Sequence, residues 1–380
     1  MHNIIQELRG NVRVFARIRP FLPDDGEQGN DGETPLVSHD SELKVSVINP
    51  SNPSQRHRFS FDRVFAPSAG QEAVFEEVSE FVRSALDGYN VCLFSYGQTG
   101  SGKTHTMQGA GSGVMRGLIP RCLEQIGLHK IAEEKDGWEF SMEVSFLEIY
   151  NETLKDLLRV NMNQECKHEI KVGTDGRRTV TDLTVKVIDP NDRVAVDAIL
   201  SLAAKRRATG STDMNATSSR SHSVFTLSMT ATHLERNQVV RGTLNLVDLA
   251  GSERLDRSHA TGQRQKETVA INKSLSSLVD VFTAIGQKQS HVPFRNSKLT
   301  YLLQPALSGD GKTCMIVNLS PTEASVPETL CSLRFASKVN LCELGKAKRT
   351  IEEVTNDEPR VSASNKSDAA AANRHVKRKV

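Results

Sequence analysis

Apolar positions along the chain follow two rhythms, one of period two and one near 3.6. Asn11 to Ile18 and His57 to Phe65 alternate as strands do, Phe140 to Ile149 alternates at greater length, and Ser223 to Leu234 with Val239 to Val247 reads as a hairpin turning near Arg236-Asn237. Tyr89 to Phe94, Leu244 to Val247 and Lys312 to Leu319 are nearly unbroken apolar runs, the pattern of strands buried on both faces. Helical spacing marks Gln71 to Leu86, Ile119 to Ala132, Asp192 to Arg207, Gln263 to Ile285, His291 to Leu307 and Val326 to Leu344, with a short piece at Leu154 to Leu158. In the third of these, Asp192 at the start and Lys205-Arg206-Arg207 at the end match the helix dipole. Strands and helices interleave with no internal repeat. The prediction is one α/β domain whose mostly parallel or mixed sheet of about eight strands carries helices on both faces.

The ends depart from this pattern. Met1 to Leu8 holds Ile4, Ile5 and Leu8 at helical spacing but is too short to stand alone. Pro23 to Pro35 reads as an acidic, glycine-rich loop and Arg159 to Thr174 as an exposed one. Beyond Gly345, apolar periodicity gives way to Ser, Asn, Ala and charge, which predicts a disordered tail over residues 346–380.

Composition narrows the class. The 380 residues are 37% hydrophobic and 25% charged, ordinary for a soluble globular protein. Net charge is +2, so an acidic partner would have to be met by a local basic patch. The six cysteines form no C-x-x-C pair and no ligand cluster, which argues against zinc and a disulfide framework and for a reducing compartment. No signal h-region or membrane-length apolar run is present, which predicts a soluble cytosolic or nuclear protein.

The chemistry begins at Gly97-Gln98-Thr99-Gly100-Ser101-Gly102-Lys103-Thr104, which follows a buried strand and opens a helix. This is the phosphate loop G-x-x-x-x-G-K-[ST]: glycines let backbone N–H groups approach oxygen, Lys103 meets the outer phosphates, and Thr104 is placed to ligate Mg²⁺. An ordinary glycine turn would need neither the lysine nor the flanking strand and helix. Two further stretches fit a γ-phosphate sensor. Asn215-Ala216-Thr217-Ser218-Ser219-Arg220-Ser221-His222 packs polar groups just before a strand, though alone it reads equally as a helix-capping turn. Asp248-Leu249-Ala250-Gly251-Ser252-Glu253 closes an apolar strand where a Walker-B aspartate belongs, though alone it reads equally as a strand-end turn.

Together with Ile271-Asn-Lys-Ser-Leu275 and His291-Val-Pro-Phe-Arg-Asn-Ser-Lys-Leu299, these motifs resemble the kinesin motor domain in the family's own order over about residues 10 to 344. The resemblance implies a phosphate-loop NTPase fold, ATP or ADP with Mg²⁺ as cofactor, and the following roles. Arg17, Arg19 and Pro20 match the motif on the adenine and ribose side, with His105 on the other face of the base. Gln98 to Thr104 hold the phosphates. Asn215, Ser218 and Ser219 belong to switch I; Asp248, Gly251 and Glu253 belong to switch II. Mg²⁺ falls to Thr104, Ser219 and, through water, Asp248. Arg220 pairs with Glu253 when the switches close over ATP, and Glu253 helps remove the proton of the attacking water, with Lys103, Ser219 and Gly251 completing the catalytic set.

A basic run follows Glu253. By itself it reads as a solvated face. By resemblance, Arg254, Lys266, Lys273, Arg295 and Lys298 meet tubulin, and the partner is the microtubule rather than nucleic acid, for which no aromatic interleaving is present. Leu8-Arg9-Gly10-Asn11 leads from a helix into the first strand, and no plus-end neck linker follows the last helix. Both features resemble the C-terminal-motor, minus-end-directed kinesins. That subfamily implies residues 1–10 as the end of a coiled-coil neck, residues 11–345 as the motor, a dimer through the rest of the coil, and a home on cytoplasmic microtubules. Val279 departs from the family, which usually has glycine there. A non-motile microtubule tether is the alternative; a small-nucleotide kinase or GTPase is a third reading. The terminal Arg374-His-Val-Lys-Arg-Lys379 reads as an import signal or basic patch.

Overall fold

The computed structural model describes residues 10–25, 35–111, 113–160, 166–173, 178–209, 219–253 and 263–353. The neck segment before Gly10, the tail beyond Glu353, Asn215, Ser218 and Arg254 lie outside these residues.

In chain order, β1 (Val12–Ile18) is followed by β2 (Val37–Ser41), β3 (Lys44–Asn49), β4 (Asn52–Ser60) and β5 (Arg63–Phe65). Helix α1 (Gln71–Leu86), β6 (Asn90–Tyr96), α2 (Lys103–Met107) and α3 (Leu118–Glu134) come next. Then follow β7 (Glu139–Tyr150), β8 (Thr153–Asp156), β9 (Ile170–Val172), β10 (Arg178–Val180), β11 (Lys186–Val187) and α4 (Arg193–Thr209). The hairpin β12 (His222–His233) and β13 (Gln238–Asp248) precedes α5 (Gln263–Gly286), α6 (Lys298–Leu307), β14 (Gly311–Leu319), α7 (Val326–Asn340) and β15 (Thr350–Glu352).

The main sheet runs β11-β7-β12-β13-β6-β14-β1-β5, with β8 added on β7 and β15 on β13. β13, β6, β14, β1 and β5 are mutually parallel, and β12, β7 and β11 turn it antiparallel on one side. β2, β3 and β4 form a separate antiparallel sheet.

Alternation along the central strands divides the core in two. Val14, Ala16, Cys92, Phe94, Met315 and Val317 face α5, α6 and α7. Phe15, Val91, Leu93, Cys314 and Ile316 face α1, α2, α3 and α4 across the sheet. The strands that the sequence shows as unbroken apolar runs are those covered on both faces. The predicted α/β fold, with about eight main-sheet strands and helices on both sides, is the one observed.

Five local expectations need correction. Arg159 to Thr174, expected as an exposed loop, contains β9, which pairs antiparallel with β10, and His168 just before it is buried. Leu154–Leu158 is not helical: Asn151 and Glu152 take φ of 48° and 55°, the left-handed pair of a two-residue hairpin, and return the chain as β8 against β7. The helix expected from His291 starts at Lys298, because Pro293 leads into a short 3₁₀ turn and Ser297 caps, its Oγ accepting from the Thr300 N–H at 3.1 Å. The last helix ends at Asn340 rather than Leu344. The stretch after Gly345 is not tail from its start: Thr350–Glu352 pairs antiparallel with Val239–Arg241, below the point where β6 takes over that edge of β13.

Candidate functional site

β6 lies between β13 and β14, parallel to both, so its C-terminal end opens in the crevice where sheet and helices leave room for a ligand. The phosphate loop begins there. Gly97 has φ 145°, and a Cβ on it would collide with the Asn318 carbonyl and the Ser101 hydroxyl. Gly102 has φ 98° and hands the loop to α2. Lys103 is buried, and its ammonium donates to the Gln98 carbonyl at 2.8 Å. Desolvation lowers its pKa, against the opposing pull of Asp248 and Glu253. The buried Ser101 hydroxyl finds no hydrogen-bond partner among the described residues.

Asp248 ends β13 beside this loop. Its Oδ2 accepts from the Thr104 hydroxyl at 2.7 Å and from Arg207 Nη1 at 2.7 Å, and Oδ1 accepts a longer bond from Ser95 at 3.4 Å. The Arg207 and Asp248 side chains are only 6% and 2% exposed. Thr104 and Asp248 therefore form one oxygen cluster, the hard-donor chemistry that suits Mg²⁺.

The segment after Asp248 folds over the loop. The Gly251 N–H donates to the Ser219 carbonyl at 2.8 Å, and the Ser252 N–H to the Gly97 carbonyl at 3.1 Å. Both Glu253 carboxylate oxygens are taken by Thr99, one accepting from its N–H at 2.9 Å and the other from its hydroxyl at 2.6 Å. A Cβ on Gly251 would strike both Glu253 oxygens and the Thr99 hydroxyl, so glycine is required for this contact. Arg220 is half-buried beside Ser219, and among the described residues Glu253 is held by Thr99; the Arg220 pairing is expected only once the switches close over ATP.

The base-side residues divide. Arg17, expected on the adenine side, is buried beneath α2, its guanidinium donating to Gln71 Oε1 at 2.7 Å and the Thr106 hydroxyl at 2.9 Å. Desolvation takes its pKa down to about 10. Gln71 in turn donates to the His105 carbonyl at 2.6 Å, so Arg17 braces the backbone that carries His105. The half-buried His105 imidazole has its pKa lowered by desolvation and by Arg17. Arg19 forks onto Asp25 at 2.6 and 2.7 Å, which pulls the Asp25 carboxyl below the usual range, and its Nε donates to the Gly100 carbonyl at 2.8 Å. Pro20 is exposed, its carbonyl accepting from Arg19. Gln98 donates to Ser325 just before α7 at 2.7 Å.

Of the basic set, Lys273 is exposed on α5, Arg295 is exposed in the 3₁₀ turn, and Lys298 opens α6. The Lys298 N–H donates to Glu152 Oε2 at 2.9 Å, so the strained hairpin turn caps this helix. Lys266 lies on α5, its side chain outside the described residues.

Sequence reasoning missed Arg207, Glu148 and Gln71, and it marked His222 only as the end of the first polar stretch, without its partners Ala250 and Ser274. Arg207 was legible only as a basic helix end; Glu148, the buried acceptor for the Ser221 hydroxyl at 2.6 Å, sits among strand residues with nothing local to mark it.

Among the described residues no helix is long and apolar enough to cross a membrane. A glycine loop ending in Lys103 and Thr104, with Asp248 on the adjacent parallel strand bonded to that threonine, defines a phosphate-loop NTPase fold. The chain belongs to the kinesin motor domain family, which matches residues 17–342, and within it to the kinesin-14 type. It is 49% identical over 367 residues to kinesin-like protein KIN-14C of Arabidopsis thaliana, covering 92% of this chain and 45% of that one. The chain thus spans less than half the length of that relative. Two solved structures are also similar. The C-terminal motor and motor homology domain of Kar3Vik1, fused to a synthetic heterodimeric coiled coil, has TM-score 0.78 and 42% identity, covering 89% of this chain and 87% of that one. A KIF14 dimer in a two-heads-bound state, with AMP-PNP and in complex with a microtubule, has TM-score 0.78 and 35% identity, covering 89% and 95%.

Proposed function

We propose that this chain is a microtubule-stimulated ATPase that couples hydrolysis to minus-end-directed movement. The observation that carries the reading is the contact of Glu253 and Asp248 with Thr99 and Thr104 of the phosphate loop, in a segment whose chain leads on to α5 with its exposed Lys273. Nucleotide chemistry and a basic surface are thereby parts of one piece of chain.

Gln98 to Thr104 would wrap the phosphates, with Lys103 as the point charge. His105, on the backbone that Arg17 and Gln71 brace, would line the base side with Arg19 and Pro20. Thr104, Ser219 and, through water, Asp248 would hold Mg²⁺, which when bound offsets charge on the phosphate oxygens. Glu253 would take the proton of the attacking water, directly or through a second water, with Asn215, Ser218 and Ser219 positioning it. Closure would move the Glu253 carboxylate from Thr99 to Arg220, and loss of γ-phosphate would release it.

Arg254, Lys266, Lys273, Arg295 and Lys298 would meet the acidic microtubule surface. The microtubule and AMP-PNP in the KIF14 structure support this pairing of partners. The coiled coil fused to the Kar3Vik1 motor supports a dimer joined through a neck before Asn11. Such a motor would work on cytoplasmic microtubules, with a nuclear pool if Arg374 to Lys379 acts as an import signal.

Steady-state ATPase with and without microtubules, followed by gliding on polarity-marked microtubules, tests the reading. Stimulated turnover with minus-end movement is expected. Binding without stimulation would leave a tether, and phosphoryl transfer to a small acceptor without microtubules would make the chain a kinase.

A further inference from the structure

His222 opens β12 and is 2% exposed. Its Nδ1 accepts from the Ala250 N–H at 3.1 Å, and its other ring nitrogen lies 2.6 Å from the Ser274 hydroxyl of α5. Because Nδ1 is an acceptor, the ring proton is on Nε2 and is donated to Ser274. The Ser274 hydroxyl passes its own proton to the Ile271 carbonyl at 2.8 Å, so the chain of donors has one consistent direction. Burial, with Arg207 and Lys103 nearby, takes the imidazole pKa down to about 3, which keeps Nδ1 free to accept. Ala250 lies between Asp248 and Gly251, whose N–H is held by Ser219. One imidazole, at the start of the strand after the first switch, thus touches the backbone of the second switch and helix α5.

We propose that His222 is a positioning residue that ties the Ala250 backbone to α5 through Ser274, so that movement of residues 249–253 is delivered to the helix that carries Lys273. The proposal rests on the reading of α5 as the microtubule-facing helix. Coupling of this kind is a free energy between two sites, and here its physical carrier is a pair of buried, fully satisfied hydrogen bonds. Among the described residues neither switch carboxylate makes this link: Glu253 reaches back to Thr99, and Asp248 to Thr104, Arg207 and Ser95.

The test uses the full chain. Ser274→Ala removes one hydroxyl at nearly constant volume; basal ATPase should stay within about twofold, while microtubule-stimulated kcat falls about three- to tenfold, the factor a single buried hydrogen bond supplies. His222→Asn presents an oxygen near the Nδ1 position, keeping the Ala250 contact and losing Ser274, so its stimulated rate should fall as far. The double variant should then fall no further than either single one. Full stimulation in Ser274→Ala, equal loss of basal and stimulated rates, or additive losses would overturn the proposal.

A second readout does not depend on microtubules. Hydrogen exchange of α5 amides is compared between ADP and AMP-PNP. The native chain should show a nucleotide-dependent change that Ser274→Ala lacks; the same change in both, or none in the native chain, overturns the bridge. A native chain that shows this change but no microtubule stimulation would refute the microtubule reading and leave the bridge standing.

Discussion

Arg207 offers the sharpest measurement. It forms a buried ion pair with Asp248 at 2.7 Å, and its second nitrogen donates to the Ser221 carbonyl at 3.2 Å. Arg207→Met keeps the length and apolar stem while removing the charge. Breaking one partner of a buried pair costs about 3–5 kcal/mol, because the remaining charge stays desolvated. Asp248 would keep the Thr104 hydroxyl, which places the loss near the lower limit, about 3 kcal/mol. At about 1.3 °C per kcal/mol for a chain of 380 residues, the midpoint of thermal unfolding should fall by about 4 °C. Asp248→Asn alone strands the arginine, whereas Arg207→Met with Asp248→Asn removes both charges and should recover much of the loss. A midpoint within about 1 °C of the native chain in Arg207→Met, or strictly additive losses in the double variant, would refute the treatment of this pair as buried and coupled.

Four more outcomes are expected. Glu253→Ala should bind ATP yet release phosphate about 10²- to 10⁴-fold more slowly, read by single-turnover phosphate release; normal turnover would remove its proton-accepting role. Charge reversal at Arg295 and Lys298 should weaken microtubule cosedimentation at least about tenfold while basal hydrolysis changes little; equal loss of both would point to misfolding. For His222 the folded pKa of about 3 lies below the ordinary 6.5, so the unfolded chain binds the extra proton and stability is lost as pH falls through 6.5. By pH 5.5 this amounts to about 1.4 kcal/mol, and urea unfolding should show that His222→Asn lacks this increment. Val279, half-buried on α5 against the core, stands where the family usually has glycine; Val279→Gly should cost about 1 kcal/mol in chemical unfolding, and no change would mean that the helix does not depend on this position.

The residues that the sequence alone exposes are those whose chemistry is contiguous. The phosphate loop needs a strand, glycines, a lysine and a helix start in immediate succession, so Gly97 to Thr104 could be read without a fold. The two-sided strands were equally legible, since burial on both faces writes an unbroken apolar run into β6 and β14.

Where two readings competed locally, periodicity chose wrongly. Leu154 to Leu158 carries helical spacing, but the tight turn at Asn151-Glu152 commits it to pairing with β7. Thr350 to Glu352 has no apolar rhythm, and its strand exists because β13 has an open edge there.

The pairings that define the site belong to tertiary structure. Arg207 meets Asp248, Glu253 meets Thr99, Arg17 meets Gln71, and His222 meets Ser274. Each joins residues 41 or more positions apart. Local spacing settles which residue types the chain offers, but a buried charge or imidazole has a partner only once sheet order brings two distant segments within 3 Å. The sequence by itself thus determined the class of protein and its loop; the sheet decided which side chains hold that loop, and which of them reach the helix beyond it.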